Sequence, residues 1–217
     1  MPVENRHYET SGLLEISISS DIFSARVNTA GAYLCLEGLY LFALGIRPHE
    51  GRIPVIRMGG HREANEGGWQ CAAREVREEA NLRIQPLTPP TTFLVDVEHE
   101  KDALQSITWQ HASDPTPTPL LVAAYRRNEQ TILSLMYLAQ AQGAPKPASE
   151  VKGLLLLSVE EIHAVCRTPL TLGQYLARGG KAMLSGDFDR MMILEPFLQL
   201  RLLSRILEET DFNPRWL

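Results

Sequence analysis

The stretch "GGHREANEGGWQCAAREVREEANL", residues 59–82, places a run of charged residues shortly after a glycine pair. Residues 69–80 within it are mostly good helix formers, and Asn81 tolerates the left-handed conformation that ends many helices. We therefore predict a helix over residues 69–80. Residues 52–58, just before the glycine pair, have the composition of a strand that leads into it. The chain is thus expected to pass from strand to helix within this stretch.

Three glutamates of the predicted helix share one face. Glu75, Glu78 and Glu79 stand at positions i, i+3 and i+4, which places their carboxylates one turn apart. Like charges at this spacing repel, so such a face is either solvated or occupied by a cation. Carboxylate oxygens are hard ligands that suit Mg²⁺ or Mn²⁺. From these residues alone, a solvated acidic helix and a divalent-metal site both remain open.

A longer spacing pattern connects these glutamates to residues upstream. The pattern is G-x5-E-x7-R-E-U-x-E-E-x-x-U, where U is aliphatic, and it is filled by Gly60, Glu66, Arg74, Glu75, Val76, Glu78, Glu79 and Leu82. At average residue usage such a match arises by chance in roughly one in a million chains of this length. The pattern resembles the Nudix box, the motif of hydrolases that act on nucleoside diphosphates linked to another moiety. The family form has glycine where this chain has Asn81, the next most tolerant residue for positive φ.

The resemblance implies a metal centre and an activity. Glu75 and Glu79 would bind Mg²⁺, or Mn²⁺, directly, and Glu78 would bind the ion or hold one of its waters. The ion would polarise phosphoryl oxygens and activate a water that attacks phosphorus. The implied function is a Mg²⁺-dependent pyrophosphohydrolase that cleaves a phosphoanhydride bond in a nucleoside diphosphate derivative. The alternative is a catalytically inactive Nudix-fold module that binds nucleotides or regulates, and the retention of every box glutamate disfavours it.

The resemblance also assigns supporting residues. Arg74 would orient the glutamates, and Glu66 would brace the loop by pairing with Arg74. Gly60, with Gly59, would give a phosphate oxygen access to backbone N–H groups, since neither glycine has a side chain in the way.

The attacking water also needs a proton acceptor, which in the family often lies outside the box. Our candidate is Glu150, in a loop before the apolar residues 154–157, and a solvated loop carboxylate is the alternative reading. Asp96 and Glu98, on one face of a predicted strand over residues 92–99, are second choices.

The order of predicted elements resembles a Nudix fold as far as Cys166. We expect an α+β protein, a Nudix-like α/β/α sandwich with a mixed central β-sheet, plus extra C-terminal helices. Residues 1–168 would form the Nudix hydrolase domain, and residues 169–217 a helical extension. Residues 196–209 are apolar on nearly every side, so this helix packs on its own domain or on a dimer partner. Further strands are predicted at residues 13–19, 32–45 (one bulged strand, or two around a tight turn), 120–126 and 132–141.

Composition narrows the partners and the compartment. The 217 residues carry a formal net charge of -5 and no Lys/Arg-rich run, which argues against nucleic acid as a partner. The most apolar stretches are shorter than the roughly 20 residues of a membrane span. Three widely spaced cysteines suggest a reducing compartment, so we expect a cytoplasmic protein. The expected partners are a small nucleotide-type substrate and, through the last helix, a second copy in a homodimer.

The sequence does not select a substrate. Residues 97–100 lack the proline or tyrosine that marks the ADP-ribose and dinucleoside polyphosphate subfamilies. Trp109 and Tyr125 are aromatic residues that could stack on a base.

Overall fold

The computed structural model describes residues 20–45, 50–99, 104–128, 130–210 and 212. The predicted strand over residues 13–19 lies outside these ranges. The strands are β1 (Arg26–Leu36), β2 (Leu39–Leu44), β3 (Arg52–Ile56), β4 (Met58–His61), β5 (Arg83–Pro86), β6 (Thr92–Asp96), β7 (Gln105–Ile107), β8 (Leu121–Arg127), β9 (Gln130–Gln142), β10 (Gly153–Leu157), β11 (Lys181–Leu184) and β12 (Ile193–Pro196). The helices are α1 (Gly68–Ala80), α2 (Val159–Arg167), α3 (Leu172–Ala177) and α4 (Leu198–Glu209).

The described strands form one mixed sheet. Its main path runs β11-β10-β2-β1-β9-β8-β6-β7, with β3 on β2, β12 on β3, β4 on β1 and β5 on β9. The pairs β1/β9, β6/β8 and β3/β12 are parallel and the others antiparallel. The expected mixed sheet is confirmed.

Helices cover both faces of the sheet, as the alternation along β1 shows. Ala32 and Leu34 face a core that includes Val76 of α1. Tyr33 and Cys35 face the opposite core, which contains the buried side chains of α2 and α4. The arrangement is the expected α/β/α sandwich, and each fully buried aliphatic side chain contributes about 1.5–3 kcal/mol to it.

Residues 32–45 form two strands around a tight turn rather than one bulged strand. β1 and β2 pair antiparallel as far as Leu36 and Leu39, so Glu37 and Gly38 alone make the connection. Both have positive φ, 51° and 78°, as two-residue hairpin turns between twisted strands require.

The helix predicted over residues 69–80 is present as α1. It ends at Asn81, which adopts the left-handed conformation with φ 55° and ψ 35°, and its N–H donates to the Arg77 carbonyl. Asparagine therefore fills the position where the family form has glycine, at little conformational cost.

Two sequence-based boundaries differ from the structure. The strand predicted over residues 92–99 ends at Asp96, and a 3₁₀ turn over Val97–His99 follows. The segment after residue 168 contains helices α3 and α4, but also β11 and β12, which we did not predict. Each of these strands has only four residues, too few to show a period-2 pattern.

The described part of the C-terminal segment packs on the same sheet. β11 pairs with β10 and β12 pairs with β3, while α4 lies against α2. The Tyr33 hydroxyl donates to the Gln199 carbonyl at 2.8 Å, which fixes the start of α4. The chain's own core thus covers much of α4, while the homodimer and the domain boundary at residue 168 stay predictions.

None of the helices within the described residues is long and apolar enough to cross a membrane.

Candidate active site

Arg74 joins the loop between β4 and α1 to the helix itself. Its Nε and Nη2 donate to the two carboxylate oxygens of Glu66, at 2.9 and 3.1 Å. Such a bidentate pair fixes geometry as well as adding energy. The hydrogen bond from Arg74 holds the pKa of Glu66 below its usual range, and the reciprocal bond raises the pKa of Arg74. The predicted Glu66–Arg74 brace is present in the structure.

Arg74 also orients two glutamates of α1. Its Nη1 donates to Glu75 Oε1 at 2.9 Å and to Glu78 Oε2 at 3.3 Å, and its Nη2 donates to the His61 carbonyl. The Arg74 side chain is 17% exposed and that of Glu78 is 48% exposed, so Arg74 lies at the buried end of this network and Glu78 at its solvent edge.

Glu79 lies apart from this network and against strand β4. Its Oε2 accepts a hydrogen bond from the Gly59 N–H at 3.0 Å. Burial raises the pKa of Glu79 to about 7, the Gly59 N–H and Arg57 oppose the rise, and the neighbouring Glu75 and Glu78 add to it. The Gly59 N–H and the Arg57 charge therefore offset the burial of ionised Glu79 only in part.

The glycine pair lets β4 approach these side chains closely. A Cβ at Gly60 would overlap the Glu75 carboxylate, and one at Gly59, where φ is 143°, would overlap the Arg57 guanidinium. The Gly59 N–H, which we expected to face a phosphate, donates to Glu79 here. The phosphate contacts of Gly59 and Gly60 stay a prediction.

A family model described as NUDIX domain matches residues 28–175, more than half of the chain. The chain belongs to the NUDIX family. It is accordingly a Nudix-type hydrolase, an enzyme that acts on phosphorus-containing acid anhydrides.

Several solved protein structures are similar to this chain. The solution structure of the E. coli ORF135 protein is 17% identical, with 64% of this chain and 77% of that chain covered and a TM-score of 0.41. A MutT NUDIX hydrolase from Burkholderia pseudomallei is 19% identical over 71% of this chain and 95% of that chain, with a TM-score of 0.39. A putative nudix hydrolase family member from Chromobacterium violaceum is 19% identical over 87% and 83%, with a TM-score of 0.36. A search of the curated proteins found no match.

The carboxylates of this Nudix hydrolase fit a divalent cation by their chemistry. Glu75, Glu78 and Glu79 supply only hard oxygen donors, the set that Mg²⁺ and Mn²⁺ prefer. The raised pKa of Glu79 shows that added positive charge would be favourable there. Within the described ranges no three acidic, histidine or cysteine side chains converge as a metal site, and Glu75 and Glu78 are both bound to Arg74. Glu78 is the most exposed of the carboxylates that Arg74 contacts within α1, and a cation would compete with Arg74 for it.

Glu150 lies in a loop that is hydrogen-bonded to the C-terminal end of α1. The Ala148 N–H donates to the Glu79 carbonyl and the Lys146 N–H to the Ala80 carbonyl, both at 3.0 Å. Glu150 itself is exposed. Its loop is therefore anchored to the backbone of a predicted metal ligand, and its role as base stays a prediction.

Of the second-choice bases, the Asp96 carboxylate contacts the backbone of Glu98 and a side chain of β8. Asp96 Oδ1 accepts a hydrogen bond from the Glu98 N–H at 3.0 Å, and Asp96 Oδ2 lies 4.0 Å from Arg126 Nη2. These contacts give Asp96 a local structural role at the end of β6.

Asp114 and Arg62 also shape this site, and the sequence analysis did not identify them. Asp114 Oδ1 accepts from the Gly68 N–H at 2.6 Å, and Oδ2 accepts from Arg62 Nη1 at 3.3 Å. Arg62 Nε in turn donates to the Glu66 carbonyl at 2.6 Å. The pairing joins residues far apart in the chain, so no local spacing rule could have revealed it.

Trp109 packs against the loop that carries Asp114. It is 8% exposed, its Nε1 donates to the Asp114 carbonyl at 2.8 Å, and its ring stacks on His111 with centroids 5.2 Å apart. His111 Nδ1 accepts from the Asp114 N–H, while its Nε2 lies 2.8 Å from the Ala25 carbonyl. Protein contacts therefore occupy the Trp109 ring that we had considered for base stacking.

Proposed function

We propose that this Nudix hydrolase is a divalent-metal-dependent pyrophosphohydrolase that cleaves a phosphoanhydride bond in a small nucleoside diphosphate derivative. The observation that supports this most strongly is the Arg74 network, which orders Glu75 and Glu78 beside a buried Glu79 of raised pKa. An acidic helix that was merely solvated would have no need of a buried carboxylate.

The three glutamates would hold the cation, Mg²⁺ or alternatively Mn²⁺. When bound, such an ion polarises phosphoryl oxygens and lowers the pKa of a coordinated water. Arg74 would keep Glu75 and Glu78 on the face of α1 that binds the cation. Glu66 holds Arg74 in place through their hydrogen bonds. This ordering lets the ligands meet the cation without a large loss of side-chain entropy.

Glu150 would take the proton of the attacking water. Its loop is tied to the carbonyls of Glu79 and Ala80, which holds the backbone just before Glu150 at the end of α1. The attack displaces the second phosphate, and both products leave as phosphate esters or phosphate. The cytoplasm is the proposed setting, consistent with the free thiols of Cys35, Cys71 and Cys166.

A hydrolysis panel tests the proposal. Nucleoside diphosphate derivatives are incubated with the wild-type protein and the Glu79→Gln variant, with and without Mg²⁺ or Mn²⁺, and the products are identified by mass. Cleavage that needs the metal and is lost in Glu79→Gln is expected. Nucleotide binding without turnover would instead identify an inactive binding module, and equal activity of the variant would overturn the assignment of the metal ligands.

A further inference from the structure

Arg57 lies between β3 and β4, next to the candidate metal site, with most of its donors unused. Its side chain is half-buried, and Nη1 donates to the Ala30 carbonyl at 3.2 Å. Among the described residues this is its one side-chain hydrogen bond, and no described carboxylate lies within ion-pair distance of it. A guanidinium carries several further N–H groups in a fixed planar fork. A partly buried cation with spare donors is a costly arrangement unless an anion satisfies it.

Two glycines make room for this guanidinium. A Cβ at Gly31 of β1 or at Gly59 of β4 would overlap Arg57 Nη1. These residues are paired across the two strands. The guanidinium therefore occupies a gap beside the paired Gly31 and Gly59, which we call the glycine lane. This gap exists only because neither strand has a side chain at that position.

The charge of Arg57 acts on one of the candidate metal ligands, Glu79. Burial lowers the pKa of Arg57, and the Glu79 carboxylate is the strongest influence that opposes this. The phenol groups of Tyr33 and Tyr125 are also near enough to interact with it. Arg57 thus places positive charge near Glu79, to which Glu75 and Glu78 add negative charge.

Arg57 has a simpler alternative role, as the counter-ion of Glu79. The contacts disfavour it, because the donor that Glu79 takes is the Gly59 N–H and not the guanidinium. An arginine retained only to neutralise Glu79 would also compete with the cation that the three glutamates suit.

We propose that Arg57 is a substrate-binding residue that donates hydrogen bonds to phosphoryl oxygens of the diphosphate. This inference deepens the proposed function and rests on it. A diphosphate carries two or more negative charges and presents adjacent oxygens, which a planar guanidinium recognises better than an ammonium does. One phosphate would face the cation held by Glu75, Glu78 and Glu79, and the guanidinium would contact the same diphosphate from the glycine lane.

Binding of methylenediphosphonate tests this inference without turnover, because a carbon replaces the bridging oxygen. Its affinity is measured by titration calorimetry in the presence of Mg²⁺ for the wild type, Arg57→Gln and Arg57→Lys. Arg52→Gln is the matched control, since Arg52 is exposed on the neighbouring strand and carries the same charge. Loss of charge-assisted hydrogen bonds is expected to weaken binding about 10- to 100-fold in Arg57→Gln.

Arg57→Lys keeps the charge and is smaller than the lane, so it provides a folded variant if Arg57→Gln unfolds. It should bind the diphosphonate more weakly than the wild type, by about 3- to 10-fold, because it loses the planar fork. Mn²⁺ binding, followed by electron paramagnetic resonance without the diphosphonate, should stay within about twofold of the wild type in both variants.

Three results would overturn the inference: wild-type protein that does not bind the diphosphonate, Arg57 variants that bind it as the wild type does, or variants whose Mn²⁺ binding falls by the same factor. The last result would mean that Arg57 supports the metal site and does not contact the diphosphate, whereas tighter Mn²⁺ binding with unchanged diphosphonate binding would make Arg57 the counter-ion of Glu79. Failure of the proposed function looks different. In that case no anhydride in the panel is hydrolysed, yet diphosphonate binding still depends on Arg57.

Discussion

Asp114 caps the first turn of α1 by accepting a hydrogen bond from the Gly68 N–H at 2.6 Å, although Gly68 lies 46 residues earlier in the chain. The residue at the N-cap position, Gly67, has no side chain to do this. Through Arg62, the same carboxylate reaches the Glu66 carbonyl. A continuous set of hydrogen bonds therefore runs from the loop after β7, through Glu66, to Arg74 and the glutamates of the site.

Replacing Asp114 should lower stability and disturb the site together. Asp114→Ala removes the cap and the ion pair with Arg62, so we expect a loss of about 2–3 kcal/mol in the free energy of unfolding. Asp114→Asn keeps the acceptor and should lose about half as much. In the folded variants kcat should fall more than KM rises. Urea denaturation and steady-state kinetics measure both, with exposed Ser113→Ala as the control. A change confined to stability would show that the cap does not influence the glutamates.

Arg74 should not be replaceable by lysine. A single ammonium cannot form the bidentate pair with Glu66 and also reach Glu75 and Glu78. We expect Arg74→Lys to lower kcat at least about tenfold and to require more Mg²⁺ for half-maximal rate. Arg77→Lys, an exposed arginine on the same helix, is the control. An unchanged Mg²⁺ requirement would contradict the orienting role of Arg74.

The metal-free protein should become less stable as pH rises toward neutrality because of Glu79. Its pKa is about 7 in the folded state, above the ordinary value, so between about pH 4.5 and 7 the folded state holds a proton that the unfolded state releases. The stabilisation is therefore full at low pH and is lost as pH rises through 7, with a total on the order of 3 kcal/mol. Melting temperatures between pH 5 and 8, with Glu79→Gln as the reference, measure this difference.

The same proton should compete with the cation. Mn²⁺ binding to the wild type should tighten as pH rises to about 7 and then level off. An affinity that is flat from pH 5 to 7 would mean that Glu79 is not a ligand.

Glu150→Gln should reduce catalysis without affecting metal binding. Loss of a general base lowers kcat by about 10²- to 10⁴-fold, whereas Mn²⁺ affinity depends on the glutamates of α1. Glu98→Gln and Asp96→Asn should keep near wild-type rates. If either of these loses activity and Glu150→Gln does not, the base lies at the end of β6.

Two buried tyrosines should respond in opposite directions to loss of their hydroxyls. The Tyr137 hydroxyl is buried with no hydrogen-bond partner among the described residues, so Tyr137→Phe should stabilise the protein by up to about 1 kcal/mol. The Tyr33 hydroxyl donates to the Gln199 carbonyl, so Tyr33→Phe should cost about 1 kcal/mol. Urea denaturation of both variants measures the contrast. Destabilisation by Tyr137→Phe would reveal a partner, such as a buried water, for that hydroxyl.

The sequence by itself determined the local parts of this protein. Residue types at fixed short separations account for helix α1 and for its left-handed end at Asn81. They account in the same way for the capping of α2 by Ser158 and Glu161. The Glu66–Arg74 pair was expected from the resemblance to the Nudix box, a motif whose spacing is itself local.

Only the tertiary structure decided what depends on residues distant in the chain. β11 and β12 are strands because they complete the hydrogen bonding of β10 and β3, and their four residues carry too little pattern to show it. The cap on α1 from Asp114 and the glycine lane around Arg57 arise where three separate segments meet. Short-range propensities fix which segments become helix or strand. Burial and pairing between segments then decide which charges face each other, and that determines the chemistry of the site.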